Sequence, residues 1–267
     1  MTTALLISTY NRPAALRLCL DSVLRQTLMP DEVVVCDDGS ADETRELLRS
    51  YADHFPVPLR HVWHPDDGFR LAEIRNKGIA ATDADYIIQV DGDVVLSRHF
   101  VADHVAASKP GHYIKGTRIR LNAAATAAFE QTGQWPDFIT PFSRALLKDR
   151  EKAVRLPRFL AVPLSHRYHR TGTGLGVNLS FWRADLLAVN GYDEDFTGWG
   201  GEDNDLEQRL QASGVRTFKL FRCGLVYHLW HPEKSNPHHA ESMALIKSKI
   251  EAGRLRSERG IDRHKSL

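Results

Sequence analysis

Asp91-Gly92-Asp93 directly follows the apolar run Tyr86-Ile87-Ile88-Gln89-Val90. Two carboxylates two residues apart, at the end of a buried strand, offer the hard oxygen ligands that suit Mg²⁺ or Mn²⁺ bridging a diphosphate. A solvated Asp-Gly turn has the same local sequence, so the pair alone does not decide between them. Three more polar clusters follow apolar runs: Thr9-Tyr10-Asn11-Arg12, Asp37-Asp38, and residues 64–70. Asp38 is acceptor-only as a carboxylate and can take a hydrogen bond from the imide N–H of a pyrimidine, or it can close an Asx turn. Arg75, in Arg75-Asn76-Lys77-Gly78, reads either as a contact to a diphosphate or base, or as a solvated helix arginine.

The second dense cluster is Gly198-Trp199-Gly200-Gly201-Glu202-Asp203-Asn204-Asp205. Glycines ahead of a helix let the backbone pass close to a ligand. Acids in a first helical turn are ordinary caps, but a tryptophan among three glycines is not needed for capping. Trp199 offers a flat apolar face on which a sugar ring stacks. A carboxylate beside it is placed to take the proton of an attacking hydroxyl, and the helix N-terminus favours negative charge there. Val226-Tyr227-His228-Leu229-Trp230-His231 adds imidazoles at the end of a late strand. Residues three apart on a strand face opposite ways, so one histidine, not both, is expected to join the two acids around a cation. A zinc site using both lacks a nearby Cys or Glu pair to complete it.

These clusters need a scaffold that gathers strand ends. Residues 4–8, 32–36, 59–63 and 86–90 read as strands. Between them come a helix opening at Pro13, with Leu16, Leu20, Val23 and Leu24 at helical spacing, and helices over 42–51 and 70–81. This alternation predicts an α/β fold of parallel βαβ units with right-handed crossovers: a Rossmann-like nucleotide-binding sheet with helices on both faces. The C-terminal ends of such strands share one edge, where ligands collect. Farther along, 176–182 reads as a strand and a helix starts at Arg183. A second helix opens near Glu202, with Leu206 and Leu210 inward, and strands follow over 217–220 and 224–228.

A net formal charge of +1 gives no global attraction to nucleic acid. Cys19, Cys36 and Cys223 lack paired spacing, as expected of reduced core thiols in a cytoplasmic protein. No apolar stretch reaches the roughly 18 residues of a spanning helix, and Met1-Thr2-Thr3 runs straight into a strand, so a soluble protein is expected. Residues 144–170 carry Arg144, Lys148, Arg150, Lys152, Arg155, Arg158, Arg167 and Arg170 against Asp149 and Glu151. That bias reads as a solvated surface, or as a contact for a phosphorylated glycan or for anionic lipid at the inner face of the membrane.

Thr9-Tyr10-Asn11-Arg12, Val35-Cys36-Asp37-Asp38-Gly39-Ser40, Arg75-Asn76-Lys77-Gly78, Asp91-Gly92-Asp93 and residues 198–203 together resemble the ordered motifs of family 2 glycosyltransferases. Asp66-Asp67-Gly68-Phe69-Arg70-Leu71 is closest to bacterial chondroitin and hyaluronan polymerase domains. Trp199-Gly200-Gly201-Glu202-Asp203 is similar to the acceptor motif of animal β-1,4-galactosyltransferases and polypeptide GalNAc-transferases. The resemblance covers residues 3–110 and 172–232. It implies a GT-A fold, with a nucleotide-sugar half over 1–110 and an acceptor half over 172–235. The insertion and tail are outside it: with no internal repeat and no Gly/Ser-rich linker the chain reads as a single domain, in which 111–171 is a variable insertion and 236–267 a charged tail, helical and then frayed.

For the site, the resemblance implies that Thr9, Tyr10, Arg12, Asp38, Arg75 and Asp91 bind the nucleotide. Asp93, with Asp91, holds Mn²⁺ or Mg²⁺ together with His228, His231 being the alternative. Trp199, Gly200, Gly201 and Asn178 face donor or acceptor sugar. Asp203 is the base and Glu202 its neighbour on sugar hydroxyls. Retaining GalNAc-transferases carry Glu-Asn where this chain has Glu202-Asp203, which favours inversion. The implied activity is transfer of a hexose or N-acetylhexosamine from a UDP-sugar to a glycan or glycolipid hydroxyl, in cell-surface polysaccharide or lipopolysaccharide synthesis. The rivals are a nucleotidyltransferase, which lacks its Gly-rich phosphate loop here, and a non-catalytic sugar-nucleotide-binding subunit.

Overall fold

The computed structural model describes residues 1–133, 152–167, 176–198, 200–232 and 239–264. Strand β1 (Thr3–Thr9) lies at its centre, parallel to β2 (Glu32–Asp37), which in turn pairs with β3 (Leu59–Trp63); on its other side β1 pairs in parallel with β4 (Tyr86–Asp91). Each strand lies within one residue of its sequence expectation. β1 is buried throughout because helices cover both sheet faces, which is why its run is continuously apolar. Leu5 and Ile7 pack with Leu16, Leu20 and Val23 of α1 (Pro13–Leu24) and with Leu47 and Leu48 of α2 (Asp42–Ala52). Ala4 and Leu6 face the other way, with Ile74 and Ile79 of α3 (Leu71–Ala80). The register sets Ser8 beside Asp91 and Thr9 beside Asp37, so the polar strand ends line one edge.

Past Asp93 the chain enters β5 (Val94–Leu96), α4 (Phe100–Ala107), β6 (His112–Lys115), β7 (Thr117–Arg120) and α5 (Ala123–Thr132). Next come α6 (Arg158–Arg167), β8 (Asn178–Trp182), α7 (Arg183–Ala188), α8 (Glu202–Ala212), β9 (Arg216–Lys219), β10 (Leu225–His228) and α9 (His239–Glu251). The main sheet has the order β3-β2-β1-β4-β8-β6-β9, with β8 antiparallel to both neighbours. A second sheet, β5-β10-β7, is an addition to the expected single sheet. Its strands span only three or four residues, too few to show a period. It pairs His228 with Val94, directly after Asp93.

Two expectations change. The tail does not fray after α9: Ile261 is 1% exposed, and the backbone N–H of Asp262 and the carbonyl of Ser257 both bond the Asn190 side chain. Within the basic stretch, Arg144, Lys148, Arg150 and Arg170 lie outside the described residues, as does the Arg167 side chain. Arg155 and Arg158 are not free surface charges. Arg155 bonds both oxygens of the fully buried Asp103, and Arg158 lies 3.6 Å from one of them. Cys19, Cys36 and Cys223 are free and buried. Among the described residues no helix is long and apolar enough to cross a membrane.

Candidate functional site

The two acids of the opening motif point to different partners. Asp93 meets both histidines: Oδ1 lies 3.7 Å from His228 Nε2, and Oδ2 lies 3.4 Å from His231 Nε2. Ligand atoms of these three residues fall within 4.8 Å of one another, and Asp91 is not among them. This corrects the expectation that the histidines face apart. β10 stops at His228, and Leu229 N–H bonds the Asp93 carbonyl, so the chain turns and His231 comes round to the same side. Asp93 Oδ1 is buried with no hydrogen-bond partner, and burial lowers the His228 pKa, leaving a neutral imidazole lone pair available. A buried carboxylate oxygen lacking a donor, flanked by two imidazoles, fits a divalent cation.

Asp91 instead pairs with Arg75. The arginine, 1% exposed, reaches up from the middle of α3. It donates to Asp91 Oδ1 (3.0 Å), to Asp203 Oδ1 (2.9 Å) and to Ser8 Oγ (3.3 Å), and lies 4.0 Å from Glu202. Its guanidinium also sits 5.1 Å from the Tyr192 ring centre. Burial alone would lower its pKa, but Asp203 and the surrounding groups raise it. Arg75 is therefore neither a solvated helix arginine nor an open nucleotide contact; it ties the acid at the end of β4 to the acid at the start of α8. Desolvation pushes Asp91 up to about 6 against the pull of Arg75. Burial, with Asp203 adjacent, pushes Glu202 up to about 7, and Glu202 Oε2 is buried without a partner.

Asp203 is more open than Glu202, with 18% of its side chain exposed. Its Oδ2 accepts the Gly176 N–H at 3.1 Å, and a Cβ on Gly176 would lie 2.1 Å from that oxygen, so only glycine fits at position 176 against the acid. Gly201, which precedes α8, has φ +113°, and a Cβ there would meet Phe196 and Ser242. Gly200 is half-buried in the same loop, and Trp199 lies outside the described residues.

At the other end of the cleft, Asp38 is 4% exposed. One oxygen accepts from His64 Nε2 at 2.8 Å, whose Nδ1 faces Lys77 Nζ at 3.1 Å; the other accepts the Arg70 N–H at 3.0 Å. Thr9 ends β1 and its carbonyl accepts the Asp38 N–H. Tyr10 is exposed and donates to Asp66 at 2.8 Å. Arg12 spans Asp93 (3.0 Å) and Glu130 (2.7 Å). Asn178 is placed differently from the expected sugar contact: it is 3% exposed, and its Nδ2 bonds the Gly224 carbonyl, tying β8 to the turn before β10. Glu130 and Tyr192 have no sequence signal, since a lone Glu on a helix or a lone Tyr in a loop has no spacing that marks it; Lys77 lay inside a motif and Gly176 at a strand start, but with no role assigned to either. His64 lay in a strand-end cluster that did flag its place.

Residues 4–157 match the model of glycosyl transferase family 2, and residues 157–232 that of the N-terminal domain of galactosyltransferase. Validoxylamine A glucosyltransferase of Streptomyces hygroscopicus subsp. limoneus is 33% identical over 225 residues, covering 79% of this chain and 48% of the relative. Chondroitin synthase of Escherichia coli is 28% identical over 249 residues, covering 87% of this chain and 35% of the synthase. The chain thus spans half or less of the length of these relatives. The structure of GalNAc-T7 with UDP, GalNAc and Mn²⁺ superposes with a TM-score of 0.65 at 18% identity, covering 93% of this chain and 48% of the other. That likeness places the fold in the GT-A class.

Proposed function

The chain belongs to glycosyl transferase family 2, and from that premise we propose that it is an inverting, cation-dependent transferase. It moves a hexose or N-acetylhexosamine from a UDP-sugar to a hydroxyl of a glycan or glycolipid, in the making of a cell-surface polysaccharide or lipopolysaccharide. The observation that carries the reading is the Arg75 tie, which holds Asp203 on one side of a cleft whose other side presents Asp93, His228 and His231.

Asp38, held by His64 and the Arg70 N–H, keeps lone pairs for the imide N–H of uracil. Asp93, His228 and His231 would hold Mn²⁺ or Mg²⁺, which when bound offsets the charge of the leaving diphosphate. Asp203 Oδ2 takes the proton of the acceptor hydroxyl. The acceptor oxygen bonds the anomeric carbon from the face opposite UDP, and the bond to UDP breaks with its electron pair leaving on the diphosphate. Arg75 fixes the Asp203 carboxylate through Oδ1 and leaves Oδ2 turned to the Gly176 loop. Glu202, whose carboxyl burial and the adjacent Asp203 push up to about 7, stands beside the base as its neighbour toward the sugar hydroxyls. The glucosyl and N-acetylgalactosaminyl chemistry named for the relatives supports a hexose or N-acetylhexosamine donor.

The test is a screen of UDP-sugars with Mn²⁺, read as UDP release with and without glycan acceptors. One donor giving metal-dependent release and a β-linked product from an α-linked donor is the expected result. Retention of anomeric configuration, or pyrophosphate release from a nucleoside triphosphate, would overturn the reading.

A further inference from the structure

Asp93 already holds a cationic group, and it is a side chain. Arg12, at the N-terminal boundary of α1, sets Nη1 3.0 Å from Asp93 Oδ2. Its Nη2 is anchored 2.7 Å from Glu130 Oε1 on α5, an acid that no motif marks. The same Oδ2 lies 3.4 Å from His231 Nε2, while Oδ1 has no hydrogen-bond partner. The Arg12 side chain is 30% exposed and that of Glu130 28%, so the bridge is open to solvent and not part of the core. A divalent ion on Asp93 would lie within a few ångströms of this guanidinium. Two like charges at that range repel, and the repulsion is relieved when the negative charge of a diphosphate comes between them.

We propose that Arg12 couples cation binding to nucleotide binding: it occupies Asp93 and keeps cation affinity low until a diphosphate arrives, and then turns to the diphosphate. The inference rests on the reading of Asp93, His228 and His231 as the cation site. Glu130 serves as the second anchor that keeps the guanidinium beside Asp93 when no diphosphate is present. The coupling is reciprocal, so UDP must tighten Mn²⁺ by the same factor by which Mn²⁺ tightens UDP.

The experiment is Mn²⁺ titration of the full chain, followed by electron paramagnetic resonance of free Mn²⁺, with and without saturating UDP. The parent should bind Mn²⁺ weakly alone and roughly tenfold or more tightly with UDP, a coupling within the ordinary range. Arg12→Met should bind Mn²⁺ alone roughly tenfold more tightly than the parent and gain less from UDP. Arg12→Lys keeps the charge but cannot span both acids, so it should fall between the two and serves if the Met variant does not fold. Mn²⁺ affinity of the Met variant equal to or below that of the parent, with full UDP coupling retained, overturns the role of Arg12 and leaves the cation site standing. A parent that binds no Mn²⁺ even with UDP overturns the cation site itself, and this inference with it.

Discussion

Replacing Arg75 by methionine removes the buried positive charge that Asp91, Asp203 and Glu202 face, while filling most of the same space. Deleting one partner of a buried ion pair costs about 3–5 kcal/mol. Arg75 is 1% exposed and serves two carboxylates at 2.9 and 3.0 Å, so the loss belongs in that range at pH 8. The pH dependence follows from the acids left behind. Glu202, at about 7, and Asp91, at about 6, already lie above their ordinary values of 4.5 and 3.8, and without Arg75 both rise further. A carboxyl raised in the folded state contributes stability in full below its unfolded pKa and loses it as pH climbs through the folded one. The deficit of Arg75→Met relative to the parent should therefore be largest at pH 8 and shrink toward pH 5. Urea unfolding followed by circular dichroism should show a loss of about 3 kcal/mol or more at pH 8, smaller by about 1 kcal/mol or more at pH 5. A variant as stable as the parent at pH 8, or equally impaired at both pH values, would refute the account of Arg75 as the clamp of an acid cluster.

Asp203→Asn should lower the turnover of sugar transfer by roughly 10²–10⁴-fold, the usual worth of a general base, with UDP affinity unchanged by calorimetry; near-parental turnover would move the base elsewhere. Asp93→Ala should abolish the difference in UDP affinity between Mn²⁺ and EDTA, and a parent showing no such difference would remove the cation from the reading. Glu202→Gln tests the buried acid. Because the pKa of Glu202 is raised to about 7, its ionisation costs stability as pH rises, so the variant should melt higher than the parent at pH 8 and alike at pH 5. A lower melting temperature at pH 8 would mean that the carboxylate is a net stabilising partner of Arg75.

Much of the donor side of this cleft is legible in sequence because each of β1, β2 and β4 is an apolar run ending in a polar residue at the sheet edge. Parallel register then places Thr9, Asp37 and Asp91 together without further information. Strand direction is not written in an apolar run, so the antiparallel entry of β8 could not be read from residues 176–182. The histidines show the same limit: period-two reasoning separates His228 from His231 only if the strand continues, and β10 ends at His228. The docked tail depends on single contacts, such as Ile261 in a charged run and Asn190 receiving it, and one apolar residue carries no periodicity. Arg75 was visible as a basic residue near the cleft, but its burial between acids 16 and 128 positions away is a tertiary fact.

The antiparallel pairing of β8 with β4 bears on how this molecule can move. The ladder runs from Tyr86 opposite Trp182 to Val90 opposite Asn178, inside one continuous sheet. A hinge that swung the early strands against the later ones would have to break it, losing backbone bonds worth roughly 1 kcal/mol each. Rigid-body closure of the two sides would therefore cost this ladder. The separation between Asp91 and the loop at Gly176 that holds Asp203 is set by the sheet before any substrate enters. The spacing of the acids along this edge is thus a property of the strand register, while the side chains at its rim, Arg12 among them, remain the parts that can turn.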